Sequence, residues 1–119
     1  MYSFYQKLFI FSIVTISFNA FANSTEMEQL LTSIKTSGCK FERNGGWYKA
    51  ESAEAHLRMK LEKAGSKVKT PEEFIQHLAS ESSFTGKPYY IKCGDEKPVQ
   101  SKEWLGEKLK VMRSLSETK

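Results

Sequence analysis

Residues 39–48 read Cys-Lys-Phe-Glu-Arg-Asn-Gly-Gly-Trp-Tyr, and this stretch decides the fold that the sequence predicts. Apolar and polar side chains alternate over its first half, which is typical of a β-strand. Asn44-Gly45-Gly46 follows, and these residue types tolerate the left-handed backbone of a tight hairpin turn. The sequence therefore predicts a short β-hairpin whose returning strand carries Trp47 and Tyr48.

Apolar residues recur at helical spacing on both sides of this hairpin. Helices are expected at residues 25–37, 50–64, 70–80 and 101–115. Thr70 begins a capping box that Glu73 completes, with Pro71 at the first helical position. Ser101 is a residue type that caps helices, and it directly precedes the apolar residues of the fourth helix. We therefore expect Ser101 to be its N-cap.

A further strand is predicted by the aromatic and β-branched run Tyr89–Cys93. The resulting order is helix, hairpin, helix, helix, strand, helix, which lacks the regular strand–helix alternation of a parallel α/β fold. We predict an α+β fold in which the hairpin and this later strand form a small antiparallel sheet, packed with about four helices. One such domain is expected over residues 23–119.

The first 22 residues have the composition of a secretory signal peptide. Lys7 precedes a charge-free apolar run, Leu8–Phe18, and Ala20 and Ala22 form the small-residue pattern that signal peptidase needs. The apolar run is shorter than the ~20 residues that span a bilayer. We expect cleavage after Ala22, export to the periplasm and no stable membrane anchor afterwards. An uncleaved anchor is the alternative.

Two cysteines, Cys39 and Cys93, lie in the predicted mature domain. An even number of cysteines in an exported protein indicates a disulfide. One cysteine begins a predicted strand and the other ends one, which suits a bond at the edge of an antiparallel pair. Reactive or metal-bound cysteines are the alternative, although no C-x-x-C motif or Cys–His cluster supports it.

Charge and composition argue against several functions. The 119 residues include 18 Lys and Arg against 14 Asp and Glu, and the lysines are interleaved with glutamates. Nucleic-acid binding needs a concentrated basic stripe, so no nucleic-acid partner is expected. His56 and His77 are the two histidines, and a zinc site needs three or four clustered ligands, so neither a metal nor another cofactor is expected.

Arg43, His56 and Lys60 are the basic residues that we expect to form a site. His56 and Lys60 are spaced i, i+4 on one side of the second helix, at the edge of its apolar stripe. Arg43 enters the hairpin turn that leads directly into this helix. Structural roles are the alternative: a backbone hydrogen bond for His56, a solvent-directed Lys60, and a salt bridge from Arg43 to the neighbours of Glu42 or to Glu51.

The loop that precedes Tyr89 could complete this site. It contains Ser82, Ser83, Thr85 and Lys87, which offer hydroxyls, loop amides and a positive charge. Lys87 is followed by proline, so the loop does not match a P-loop. Convergence of these groups with the three basic residues would favour a carboxylate or a phosphate. Hydrogen bonds within the turn are the alternative for the hydroxyls.

Several motifs together resemble the YfeK-like family of small bacterial envelope proteins, a family with a domain of unknown function. These motifs are Phe41-Glu42-Arg43-Asn44-Gly45, Ala53 with His56-Leu57-Arg58-Met59-Lys60-Leu61, Thr70 with Phe74-Ile75, and Ser82-Ser83-Phe84-Thr85-Gly86-Lys87-Pro88-Tyr89. The resemblance covers residues 41–91 and implies a periplasmic location, but it implies no activity. Glu54 replaces a commonly apolar residue, and the two cysteines lie outside the pattern.

These observations favour an exported, non-enzymatic domain that binds an envelope protein partner or an anionic ligand. A small hydrolase is the alternative hypothesis, with His56 as base and Ser82 or Ser83 as nucleophile. The sequence contains no G-x-S-x-G motif, and Asp95 is its single aspartate. A structural envelope protein without a binding pocket is a third hypothesis.

Overall fold

The structure, a computed structural model, describes residues 24–117. The signal peptide predicted at residues 1–22 lies outside this range. Within it, no helix has the length and apolar character needed to cross a membrane.

Four helices are present in the described range, as the sequence predicts. Helix α1 spans residues 24–35, and the others are α2 (Ala50–Ala64), α3 (Pro71–His77) and α4 (Ser101–Glu117). A 3₁₀ turn, Gly65–Lys67, follows α2. The predicted stripe of α1 is confirmed, because Leu30, Leu31 and Ile34 are fully buried in the core.

The sheet has four antiparallel strands in the order β2-β1-β3-β4. They are β1 (Lys40–Arg43), β2 (Gly46–Lys49), β3 (Tyr90–Lys92) and β4 (Val99–Gln100). The α+β prediction is confirmed, and so are the hairpin and the later strand that pairs with it. The sequence did not predict β4, because two residues are too few to show the alternation by which strands are recognised.

The strand register decides which side chains face the core. Phe41 lies opposite Tyr48 on β2 and opposite Ile91 on β3, so these three side chains share one face of the sheet. Side chains two residues apart in a strand point to the same side, which places Arg43 on this inner face as well. Helix α2 packs on β1 and β2. The side of α2 that carries His56 therefore lies next to Arg43.

Helix α3 begins as predicted but ends earlier. The Thr70 hydroxyl accepts from the Glu73 amide, and the Glu73 carboxylate accepts from the Thr70 amide, which confirms the capping box. The helix was expected to reach residue 80 but ends at His77. The Ala79 amide donates to the Phe74 carbonyl, five residues back, and this wider turn closes the helix.

The prediction that Ser101 caps α4 is wrong, because Ser101 is already the first residue of the helix. Its amide donates to the Tyr89 carbonyl at 2.8 Å and joins the helix to the segment before β3. The residue is 1% exposed, and its hydroxyl makes no hydrogen bond within residues 24–117.

Cys39 and Cys93 form the predicted disulfide. The bond lies beside the Lys40–Lys92 pair and fastens the ends of β1 and β3.

Two arginines join the helices by ion pairs. Arg58 on α2 binds Glu28 of α1 at 2.9 Å, and it also contacts the buried Glu54 at 3.4 Å. Arg58 therefore compensates the negative charge of the buried Glu54. Arg113 on α4 binds Glu26 of α1 and Glu72 of α3.

Candidate functional site

Arg43 and His56 are in direct contact at the centre of the site. The Nη1 atom of Arg43 lies 2.7 Å from Nδ1 and 2.8 Å from Nε2 of the His56 ring. A guanidinium can only donate, so the ring nitrogen that accepts must be unprotonated. A neutral His56 is therefore the form that can accept from Arg43.

The surroundings of His56 favour this neutral form. Burial lowers the pKa of His56 below its ordinary value, and the positive charges of Arg43, Lys60 and Lys63 lower this pKa further. No carboxylate in residues 24–117 forms an ion pair with the imidazole. The cations around His56 thus favour its neutral form.

The charge of Arg43 is balanced by no carboxylate at contact distance. Within the described range Arg43 makes no ion pair, so the predicted alternative of a salt bridge to Glu51 does not occur. Its guanidinium carbon instead lies 4.8 Å from the centre of the Tyr48 ring, in a cation–π contact. Tyr48 and His56 therefore fix the side chain and leave its charge available.

Lys60 is held by two neutral oxygens. Its Nζ donates to the Leu78 carbonyl at 2.6 Å and to the Tyr89 hydroxyl at 3.2 Å. Burial lowers the pKa of Lys60, and Arg43 lowers it further, whereas Glu81 opposes this change. Burial also raises the pKa of the Tyr89 hydroxyl. Lys60 thus bridges the end of α3 and the segment before β3. Its ammonium group is bound within the protein and does not point to solvent, whereas the alternative expects it to do so.

The loop at residues 82–87 uses its hydroxyls internally. The Ser82 hydroxyl accepts from the amides of Phe84 and Thr85 at 3.2 and 3.3 Å. Asn44, in the hairpin turn, donates to this hydroxyl at 3.3 Å and accepts from the Thr85 hydroxyl at 2.7 Å. The bonds to Phe84 and Thr85 are the turn hydrogen bonds of the alternative interpretation. The bonds to Asn44 instead tie the loop to the end of β1.

Two adjoining cavities meet at Arg43, His56 and Tyr89. The inner one, which we call the cleft, has a volume of about 270 Å³. The cleft is lined by Phe41, Glu42, Arg43, Tyr48, Ser52, Ala53, His56, Leu57, Tyr89 and Ser101. The outer one, which we call the mouth, has a volume of about 670 Å³. The mouth is lined by Arg43, Asn44, His56, Met59, Lys60, Lys63, Ala64, Leu78, Ser82, Ser83, Phe84 and Tyr89.

Five of the six predicted site residues line the mouth. They are Arg43, His56, Lys60, Ser82 and Ser83. Lys87 is exposed and lies outside the residues that line either cavity. None of the described residues that line the mouth is acidic, and Arg43, Lys60 and Lys63 give this lining a positive charge.

Sequence reasoning missed three residues that shape the site, Asn44, Tyr48 and Tyr89. Asn44 has a φ of +51°, which its place in an Asn-Gly turn could have indicated. Tyr48 and Tyr89 needed the strand register: Tyr48 lies opposite Phe41, and Tyr89 lies two residues before Ile91, which also pairs with Phe41.

The hydrolase hypothesis depends on a contact between His56 and a serine hydroxyl. No hydrogen bond joins His56 to Ser82 or Ser83 in the described part of the chain, and the Ser82 hydroxyl already accepts from two amides. Among residues 24–117 no group of three or more His, Cys, Asp or Glu side chains is arranged to hold a metal ion.

The fold and site define a small, disulfide-bonded α+β domain with a cationic cluster between two cavities. The chain belongs to the family of unknown function DUF5329, whose match covers residues 21–113.

A curated relative, the uncharacterized protein YfeK of Salmonella typhimurium strain LT2, is 41% identical over 71 residues. The aligned region is 60% of this chain and 52% of the relative, so the chain spans about half the length of that protein. No solved structure matches the chain.

Proposed function

We propose that this protein is an exported, periplasmic binding module that recognises an anionic ligand at Arg43 and His56. The observation that carries the proposal is the Arg43 guanidinium, which faces two cavities without a carboxylate partner in residues 24–117. A cation held in place by neutral groups keeps its charge for a ligand, whereas an ion-paired cation does not.

The guanidinium of Arg43 has one edge, formed by Nε and Nη2, that can donate two parallel hydrogen bonds to an anion. Its hydrogen bonds to described residues use Nη1 alone, so the parallel N–H groups of Nε and Nη2 remain available. This pair of donors matches the two oxygens of a carboxylate or a phosphate. The single N–H of the neutral His56 ring can donate a second hydrogen bond to the anion.

Lys60 and Lys63 supply positive charge rather than the main contacts. Two of the three ammonium hydrogens of Lys60 are used by Leu78 and Tyr89. Lys63 is exposed at the mouth and contributes to the potential that surrounds His56. The positive mouth would draw an anion toward Arg43.

Titration calorimetry of the mature protein with sodium acetate and with sodium phosphate tests this proposal. We expect Arg43→Gln to weaken binding about tenfold or more, since charged hydrogen bonds contribute about 1.5–3 kcal/mol. Arg43→Lys keeps the charge but loses the paired donors, so its affinity should be intermediate. Lys92→Gln, which removes an exposed charge from the opposite face of the sheet, is the matched control.

Absence of binding by both anions would contradict the proposal. So would an Arg43→Gln variant that folds and binds them with unchanged affinity. The relative strength of the two anions distinguishes a carboxylate ligand from a phosphate ligand.

Export is tested separately by the intact mass of the protein recovered from the periplasmic fraction. The proposal expects a chain that begins at Asn23. Recovery of a chain that retains residues 1–22 would contradict it.

A further inference from the structure

The cleft is lined mainly by apolar surface, and Arg43 and Glu42 are the charged residues in its lining. Aromatic and aliphatic side chains from β1, β2 and α2 form its walls, among them Phe41, Tyr48 and Leu57. An apolar cavity of roughly 150 Å³ can hold a benzene ring. At about 270 Å³ the cleft therefore has room for one ring with a small substituent.

Ser101 contributes a hydroxyl group to the lining of this mainly apolar cleft. It is 1% exposed and lines the cleft, and its hydroxyl makes no hydrogen bond with any part of the chain that the structure describes. Buried hydroxyls are normally partnered. Among residues 24–117, every side-chain oxygen that is sealed from solvent has a hydrogen-bond partner. The unpartnered hydroxyl of Ser101 is therefore open to the cleft that Ser101 lines.

We infer that the ligand is a small aromatic carboxylic acid, with its carboxylate at Arg43 and His56 and its ring in the cleft. This inference rests on the proposed function and adds the class of ligand to it. The Arg43–His56 pair forms part of the wall of both cavities, so a carboxylate can contact it while the attached ring enters the cleft. Ser101 then provides a hydrogen bond to a hydroxyl substituent on the ring.

A comparison of acetate with phenylacetate tests the aromatic part. Both acids present the same carboxylate, and only the second can fill the cleft. Burial of a ring should strengthen the binding of phenylacetate about tenfold or more over that of acetate. Benzylamine carries the ring with a positive charge, and it should not bind.

Substitution of Ala53 separates the cleft from the carboxylate contact. Ala53 is partly buried and lines the cleft, so the larger side chain of Ala53→Leu should fill it. Phenylacetate should then bind no more tightly than acetate, whose affinity should be unchanged. Ala55→Leu, on the exposed side of the same helix, is the matched control and should retain the preference for phenylacetate.

Ser101→Ala tests the polar contact with the three isomers of hydroxyphenylacetate. At least one isomer should bind more tightly than phenylacetate, and the variant should abolish that difference while the affinity for phenylacetate stays unchanged. If no isomer is preferred, the role of Ser101 as a ligand contact is wrong.

The outcomes distinguish this inference from the proposed function. Equal binding of acetate and phenylacetate to the unaltered protein would overturn the aromatic ligand and leave the anion site in place. Failure of acetate, phosphate and phenylacetate to bind would overturn both. If Ala53→Leu does not fold, as judged by circular dichroism, the comparison of acetate with phenylacetate on the unaltered protein still tests whether the ligand is aromatic.

Discussion

His56 is surrounded by cations, so its protonation should destabilise the folded chain. The folded-state pKa is lowered below 6.5 by burial and by Arg43, Lys60 and Lys63, whereas the unfolded chain has the ordinary value. The unfolded chain therefore binds the proton more readily, and the free energy of unfolding falls as the pH decreases through 6.5. Above this pH the contribution of neutral His56 is fully present.

Urea denaturation at pH 7.5 and pH 5.5 measures this effect. His56→Gln should show a smaller loss of stability between these two values than the unaltered protein. His77→Gln, which removes the exposed second histidine, should retain the larger loss. The carboxyl groups of Glu28, Glu72 and Glu73, whose pKa values are lowered, titrate below this window. Equal losses in His56→Gln and the unaltered protein would contradict the prediction.

Lys60→Met should lower the free energy of unfolding by about 1 kcal/mol. Methionine keeps an aliphatic stem, but the Leu78 carbonyl and the Tyr89 hydroxyl lose their shared donor. Lys63→Met removes the same charge from an exposed residue one helical turn away and is the control. The two variants are compared by their urea midpoints. If their midpoints agree, the bridge made by Lys60 does not stabilise the fold.

At the level of elements, Arg113 connects three helices. It lies on α4 and binds the carboxylates of Glu26 on α1 and Glu72 on α3, with contacts between 2.7 and 3.1 Å. Such partly exposed pairs contribute about 0.2–1 kcal/mol each. We expect Arg113→Gln to cost about 1 kcal/mol and the loss to shrink at 1 M salt, where the screening length is about 3 Å.

Lys110→Gln, an exposed residue on the same helix, is the control for Arg113→Gln. Its effect on the urea midpoint should be small at both salt concentrations. A loss in Arg113→Gln that does not depend on salt would show that packing of the arginine stem, and not its charge, is responsible.

Local sequence signals predicted most elements correctly. The stripe of α1, the Asn-Gly turn and the capping box at Thr70 involve residues within one or two turns of each other, so periodicity and turn chemistry are sufficient. The sequence around Ser101 resembles the sequence around a true N-cap residue. Its role depends instead on the packing of α4 against the segment before β3, and the sequence does not contain this information.

The site was partly predictable for the same reason. Arg43 and His56 have a sequence separation of 13, and the segment between them includes one tight hairpin turn, so chain connectivity alone brings them close. The Ser82 loop reaches them through the β1–β3 pairing and through Asn44, which depends on contacts 38 and 41 residues apart. The direct Arg43–His56 contact and the aromatic walls needed the register of the sheet.

At the scale of the whole molecule, the pair of central strands is fastened at both ends. The disulfide joins Cys39 and Cys93 at one end, and Asn44 hydrogen-bonds to the loop before β3 at the other. Arg43, His56 and Tyr89 lie toward the second end. The disulfide is therefore expected to stabilise the fold from a distance, without contact with the ligand site.

Replacement of both cysteines by serine should lower the free energy of unfolding by about 4 kcal/mol. The disulfide closes a loop with a sequence separation of 54, and the chain-entropy relation gives about 4 kcal/mol for a loop of this length. Urea denaturation of Cys39→Ser/Cys93→Ser is compared with that of the unaltered protein, with and without reductant. The reduced protein should match the variant, which controls for the effect of the serine hydroxyls. The variant should still bind acetate at urea concentrations at which it is folded, since neither cysteine lines the cleft or the mouth. A loss below about 1 kcal/mol would contradict the prediction, because it would mean that the reduced, unfolded chain already holds the two strands together.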